Sequence, residues 1–174
     1  MRRDIRSFEN IHAHRPAKPD GNTVLSVSPG EELEDGGFYS IGIHPWNTPA
    51  STGEIEAVEN IASGDERIVA IGECGLDRLQ GSSIEKQTEI FEAQIEIAER
   101  LGLPLIIHCV KAVDVLLQLR KRHPQGQWIF HGFRGSPSTA AQLLKAGIDL
   151  SFGKSYNEES YRITPPERRF HETD

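Results

Sequence analysis

Residues 68–77 read Ile68-Val69-Ala70-Ile71-Gly72-Glu73-Cys74-Gly75-Leu76-Asp77. An apolar run over 68–72 stops at a carboxylate, Glu73, and helical periodicity begins within a dozen residues. A strand, then a polar residue at its end, then a helix is the unit of an alternating β/α chain. The same pattern recurs on both sides. Strands read near 8–12, 23–27, 38–43, 68–72, 104–108, 127–131, 148–152 and 169–173. Eight strands of this kind predict a (β/α)8 TIM-type barrel.

The helices carry their own punctuation. Ser51 with Glu54 forms a capping box; Ile55, Val58 and Ile61 mark one apolar side, and Gly64 offers a left-handed stop. Ser82 and Glu85 repeat the device before Ile84, Phe91, Ile95, Ala98 and Leu101, and Gly102 and Pro104 end that helix. A third helix is expected over 112–122, with Val113, Leu116 and Leu117 inward and Pro124 beyond its end. A fourth opens at Ser136 and Pro137 and closes at Gly147. Tyr156 to Ile163 has room for two helical turns before Pro165 and Pro166. Between the first three strands, Pro16, Pro19, Gly21, Pro29 and Gly30 predict loops, so the helical ring is incomplete.

With 174 residues the barrel is short, since the fold usually takes about 250 and rarely fewer than about 200. One domain spanning 1–174 is expected, either a fragment truncated after strand eight or a pared-down barrel. A composition of 37% hydrophobic and 26% charged residues is that of a globular chain. Its longest apolar stretch, 103–110, is interrupted by Pro104 and His108 and is far below the roughly 20 residues that cross a bilayer. No membrane association is expected. The basic amino terminus has no apolar region behind it, so a cytoplasmic location is expected. Cys74 and Cys109 lack CxxC spacing, which argues against a disulfide framework or a thiolate zinc site. The net charge of −7 rules out a broad basic surface for nucleic acid, so a bound phosphate needs another source of positive potential. The Gly132–Gly135 loop lacks a P-loop ending, and no nucleotide cofactor or stable protein partner is implied.

Functional groups of such barrels gather at the carboxyl ends of the strands. His12 and His14 end the first strand, His44 follows the third, Glu73 ends the fourth, His108 the fifth, His131 the sixth and Asp174 the eighth. Alternation along a strand puts His12 and His14 on one side, where both can hold one ion. Imidazole and carboxylate donors suit zinc, manganese, iron or magnesium. A carboxylate such as Glu73 can bridge two ions and thereby concentrate positive potential on an acidic protein. Plainer roles are expected elsewhere. His123 reads as a helix-end residue and His171 as pointing outward; Cys74 and Cys109 read as small buried residues. Asp77 serves a ligand histidine, the substrate or the following turn. Trp46 and Phe133 are either base-stacking aromatics or core plugs.

The segments Asn-Ile-His-Ala-His at 10–14, Gly-Ile-His-Pro-Trp at 42–46, Ile-Gly-Glu-Cys-Gly-Leu-Asp at 71–77, Ile-Ile-His-Cys at 106–109, His-Gly-Phe-Arg-Gly at 131–135 and Glu-Thr-Asp at 172–174 match, in order and spacing, those of a known family. Together they resemble the TatD family of metal-dependent hydrolases, within the amidohydrolase-like superfamily. The resemblance implies one divalent ion (Mg, Mn or Zn) on His12, His14, Glu73 and Asp174, and a second on Glu73, His108 and His131. It implies that Asp174 orients or deprotonates the attacking water and that His44 contacts substrate. The family commonly has Arg two residues after the His of strand five, where this chain has Val110, followed by Lys111; conversely, Arg134 stands where a small residue is common. Arg134, assisted by Lys111, is therefore expected to grip a substrate phosphate. Asp174, as the last residue of the sequence, is expected to be prone to fraying. The implied activity is a deoxyribonuclease, exonuclease-like, with DNA or another phosphodiester as substrate. An amide or carboxyl-ester hydrolase using the same metal pair, and a non-catalytic truncated metal-binding remnant, are the alternatives.

Overall fold

Strands that are joined by helices or long loops rather than tight hairpins pair in parallel, and a computed structural model of the chain has this arrangement throughout. It describes residues 1–15, 17–48 and 51–174; Pro16 of the first expected loop lies outside them. The strands β1 (Asn10–Ala13), β2 (Thr23–Val27), β3 (Phe38–Ile41), β4 (Ile68–Asp77), β5 (Leu105–Val110), β6 (Trp128–Phe130), β7 (Ile148–Phe152) and β8 (Arg169–His171) form one sheet in chain order. Each pairs in parallel with the next. Side chains join the two edges: Asn10 Nδ2 donates to Thr173 Oγ1 (2.7 Å), and the Thr173 N–H reaches Asn10 Oδ1 (3.2 Å) and the His12 carbonyl (3.4 Å). The result is a nearly closed (β/α)8 barrel.

Helices α1 (Thr52–Gly64), α2 (Ile84–Leu101), α3 (Val113–Arg122), α4 (Pro137–Lys145) and α5 (Glu158–Ile163) cover part of its outside. Among the described residues the connections β1–β2 and β2–β3 contain no helix, as their Pro and Gly content predicts. No helix among the described residues is long and apolar enough to cross a membrane. Val58, Phe91, Leu116, Trp128 and Leu143 lie in the core between sheet and helices. A smaller cluster includes Val24, Val69, Ile106, Ile129 and Phe170. Ile106, Ile129 and Phe170 precede His108, His131 and Glu172 by two residues, so strand alternation points them the same way, as an apolar floor beneath those polar groups. Burying each such side chain stabilises the fold by roughly 1.5–3 kcal/mol.

Several local readings need correction. Ser83, not Ser82, caps α2 by accepting from the Lys86 N–H (3.3 Å), while Ser82 Oγ bonds Thr48 Oγ1 (2.5 Å). Gly64 is the last residue of α1; Asp65, with φ −127°, is its C-cap, and no left-handed turn forms there. In α3, Leu119 is buried with Leu116, whereas Val113 and Leu117 are half-buried. β4 does not end at Ile71-Gly72 but continues through Glu73 to Asp77. Glycine permits this extension. Gly75 has φ +140°, and a Cβ there would fall on the His108 carbonyl oxygen of β5.

Candidate metal centre

Glu73 is carried to the middle of the barrel mouth by β4, and its two oxygens face different histidines. Oε2 lies 3.1 Å from His14 Nε2 and 3.3 Å from His12 Nε2. Oε1 lies 2.8 Å from His131 Nε2, 2.9 Å from His108 Nδ1 and 3.2 Å from His44 Nε2. Asp174 stands on the Oε2 side, with carboxylate oxygens 3.8 Å from His12 Nε2 and 3.6 Å from His14 Nε2. Residues from β1, the β3–α1 loop, β4, β5, the β6–α4 loop and the segment after β8 therefore converge on one carboxylate. Among the described residues, His12, His14 and Asp174; His12, Glu73 and His131; His44, Glu73 and His108; and His131, Glu172 and Asp174 each present donor atoms mutually close enough to hold an ion, whereas the expected trio Glu73, His108 and His131 is not one of these sets.

Protons occupy this cluster unevenly. Burial pushes the Glu73 carboxyl up, but the imidazoles of His108, His12, His131 and His14 drawn close around it outweigh that and hold the group far below the ordinary carboxylate range. Burial also pushes His131 down, yet Glu172 and Glu73, one on each ring nitrogen, raise it to about 10. Carboxylates only accept, so both His131 nitrogens carry protons in this arrangement. His14 is raised by its bond to Glu73. His12 differs: burial, then repulsion from His131, lowers it and favours neutral imidazole. It has 0% exposure, and neither ring nitrogen has a hydrogen-bond partner. Leaving such a polar group unsatisfied is costly, whereas a cation beside Nε2 would use its lone pair. The residues present therefore fit a metal ion.

Around the donors sits a supporting set. His108 Nε2 meets Asp77 Oδ2 at 2.9 Å, and the same oxygen accepts from Trp46 Nε1 at 2.8 Å. Asp77 Oδ1 accepts from the Leu79 N–H (2.8 Å), so the carboxylate serves both a histidine and the turn. Burial pushes the Asp77 carboxyl up, but the bonds from Trp46 and His108 more than offset it and lower the group. Gln87 on α2 clamps the Asp77 backbone, accepting from its N–H (2.6 Å) and donating to its carbonyl (2.9 Å). His44 Nδ1 accepts from the Trp46 N–H (3.1 Å), which puts the proton of a neutral ring on Nε2, the nitrogen aimed at Glu73.

Arg134 is exposed but lines a recess with His108, His131 and Asp174. Lys111 sits at left-handed φ +54° after β5, its carbonyl bound by Arg78 (2.7 Å), and is not among the residues lining this recess or the main cavity. His123 caps α3 and bonds Glu92 (2.9 Å); His171 faces outward and bonds the Tyr161 hydroxyl (3.0 Å). Cys74 is buried and its thiol is pushed far up by burial; burial raises Cys109 to about 12. Phe133 is a core plug, edge-on to Phe130 and Phe152. Glu172 was not among the expected site residues, although it lies two residues before Asp174 in the segment after β8. It accepts from His131 Nδ1 (3.1 Å), the Gly132 N–H (3.0 Å) and the Ser151 hydroxyl.

A parallel barrel with histidines and carboxylates gathered at one mouth defines the class: a TIM-type barrel with a centre suited to divalent metal. The chain belongs to the TatD related DNase family, whose model matches residues 20–174. It is 37% identical over 119 residues to an uncharacterized metal-dependent hydrolase, YabD, of Bacillus subtilis, and 33% identical over 118 residues to the 3'-5' ssDNA/RNA exonuclease TatD of Erwinia billingiae. Those matches cover 67% and 65% of this chain but 47% and 44% of the relatives, so the chain spans a little under half their length. The crystal structure of YJJV, a TatD homologue from Escherichia coli K12, superposes with a TM-score of 0.76 at 26% identity, covering 88% of this chain and 67% of that one.

Proposed function

We propose that the chain is a divalent-metal-dependent hydrolase that cleaves phosphodiester bonds, with the end of a DNA strand as substrate. The observation that carries this reading is the division of labour at Glu73, whose Oε2 serves His12 and His14 and whose Oε1 serves His108 and His131. His12, His14 and Asp174 would hold one ion and His108 and His131 a second, with Glu73 between them. Two-ion sites of this composition supply Lewis acidity, which makes water nucleophilic near neutral pH and offsets charge developing on phosphoryl oxygens. Magnesium, manganese and zinc all suit the donors.

The chain's own groups do the rest. Asp174, partly exposed at the mouth, orients the attacking water and accepts its proton. His44 has Nδ1 committed to the Trp46 N–H and Nε2 3.2 Å from Glu73 Oε1, so it would turn that Nε2–H to a phosphoryl oxygen only on giving up Glu73. Arg134, in the adjoining recess, pairs with a neighbouring phosphate. Glu172 and Asp77 hold His131 and His108 in orientation from behind. The DNA assignment draws support from the Erwinia relative's name as an ssDNA/RNA exonuclease.

The test is release of nucleotides from single-stranded DNA by the purified chain. Activity should vanish with chelator, return with manganese, magnesium or zinc, and be lost in Glu73→Gln. Turnover of an amide or carboxyl ester without DNA cleavage would replace this reading with the alternative hydrolase. Metal binding with no turnover of any of these substrates would leave a non-catalytic metal-binding protein.

A further inference from the structure

A large aromatic side chain half in solvent beside a polar centre is out of place unless something covers it during function. Trp46 is such a residue. It stands on the short turn Pro45–Asn47 after β3, is 48% exposed, and lines the 610 Å³ cavity that also contains His44, Glu73, His108 and Asp174. Its ring is held by one bond, Nε1 donating to Asp77 Oδ2, and its backbone by another, the N–H donating to His44 Nδ1. The neighbouring imidazoles meet it at steep angles, 68° for His44 with centroids 4.6 Å apart and 77° for His108 at 5.7 Å, so neither stacks on the indole. Leu79, another exposed large hydrophobic side chain, belongs to the residue whose N–H is bound by the other oxygen of Asp77. The second aromatic considered for the mouth, Phe133, has only 1% exposure and is not available to a ligand.

We propose that Trp46 is a stacking platform for the nucleobase of the substrate's terminal nucleotide. The proposal rests on the phosphodiester reading for its substrate class. In a nucleotide one sugar separates a flat base from a phosphate, and here one ring contact separates Trp46 from His108. An acidic chain with net charge −7 gains little from tracking a phosphate backbone beyond the one phosphate at Arg134, so an uncharged surface is a further source of affinity. Stacking on a π-face supplies it without regard to sequence. The bond from Nε1 to Asp77 holds the ring in advance, so less rotamer freedom is lost on binding.

Two measurements test the platform. In metal-free protein, deoxyadenosine monophosphate should quench indole emission saturably, and deoxyribose 5-phosphate should not. Trp46→Phe keeps the buried Trp128 as an internal reference, and its emission should not respond. In metal-loaded protein, oligonucleotides whose terminal residue carries adenine or is abasic should be compared at either end. The ratio of their kcat/KM values should fall roughly five- to a hundredfold in Trp46→Ala and recover in part in Trp46→Phe. Loss of the bond to Asp77 alone would slow both substrates alike and leave the ratio unmoved. Quenching that persists in Trp46→Phe, or an equal ratio in wild type and Trp46→Ala, overturns the proposal. Trp46-dependent quenching with no oligonucleotide cleavage would instead overturn the phosphodiester reading and leave the base platform standing.

Discussion

Replacing Asp77 with Asn removes one acceptor from a group of nearly the same shape, and the structure sets the cost. Oδ2 accepts from Trp46 Nε1 and from His108 Nε2, and Oδ1 from the Leu79 N–H. An indole and a backbone amide can only donate. The single oxygen of Asn can serve one side, and its NH2 then opposes a donor on the other. At least one partly buried donor is therefore orphaned in either orientation, at about 1–3 kcal/mol, and the surviving bonds lose their charge assistance. Destabilisation of about 2–4 kcal/mol follows for the chelator-treated protein, read as a lower urea midpoint. Metal affinity, read by calorimetry, should fall about 10- to 100-fold, because His108 loses the partner that fixes its ring. The acid limb gives a sign check. A carboxyl lowered in the folded state contributes stability that is present above its unfolded value of 3.8 and is lost as pH falls through the folded value. Wild type should therefore lose stability below about pH 4 more steeply than Asp77→Asn. The exposed Asp114, paired with Arg78, is the control, and Asp114→Asn should leave the urea midpoint within error. A wild-type midpoint and wild-type metal affinity in Asp77→Asn would refute the reasoning.

Glu73→Gln should abolish hydrolysis and lower the number of ions bound per chain, measured by elemental analysis after dialysis. His131, raised to about 10 in the folded protein from 6.5, contributes stability that is complete below about pH 6.5 and lost as pH rises through about 10. The chelated protein's Tm should therefore fall across that window, while metal binding should strengthen and release protons, detectable as a buffer-dependent binding enthalpy. Arg134→Ala should raise KM for an oligonucleotide at least severalfold with a smaller change in kcat, and an unchanged KM would remove Arg134 from the phosphate site. Gly75→Ala should destabilise by about 2 kcal/mol or more, because its Cβ meets the His108 carbonyl; an unaltered urea midpoint would show that β4 can shift away from β5.

Repetition made the barrel legible. β2 and β7 occupy Thr23–Val27 and Ile148–Phe152, as their apolar runs predict, because turn residues bracket them closely. The apolar run of β4 stops at Glu73, whereas the strand itself continues, because glycine lets it press against β5 and carry Glu73 inward. Periodicity brought His12, His14, Glu73, His108 and His131 to one mouth, since each follows an apolar run of fixed direction. It said nothing of Lys111, whose placement is set by a left-handed loop residue and a bond from Arg78. Glu172 lies two residues before Asp174, so alternation along an extended chain could have placed it at the same mouth, where it is one of the buried polar residues. Asp77 takes two of the roles its motif offers, a histidine and the turn, but which histidine it meets, and its clamp by Gln87, show a further limit. These partners lie 31 and 10 residues away, and such pairings depend on side-chain reach in the folded chain rather than on local pattern.

The arrangement of protons explains how a fold can assemble this many charged groups in its centre. Glu73, Asp77 and Glu172 are all held below their ordinary values, so each remains ionised although buried. Uncompensated, buried carboxylates would be strongly destabilising. His131 answers two of them with one proton on each nitrogen, and His14 shares Glu73 from the exposed side. A divalent cation and these protons thus compete for the same oxygens and ring nitrogens. Among these residues His12 is the exception, because burial lowers it and favours the neutral ring, and its nitrogens make no hydrogen bond. It is therefore the donor from which no proton need be displaced, and it makes the Oε2 side of Glu73 the side that a first ion should occupy.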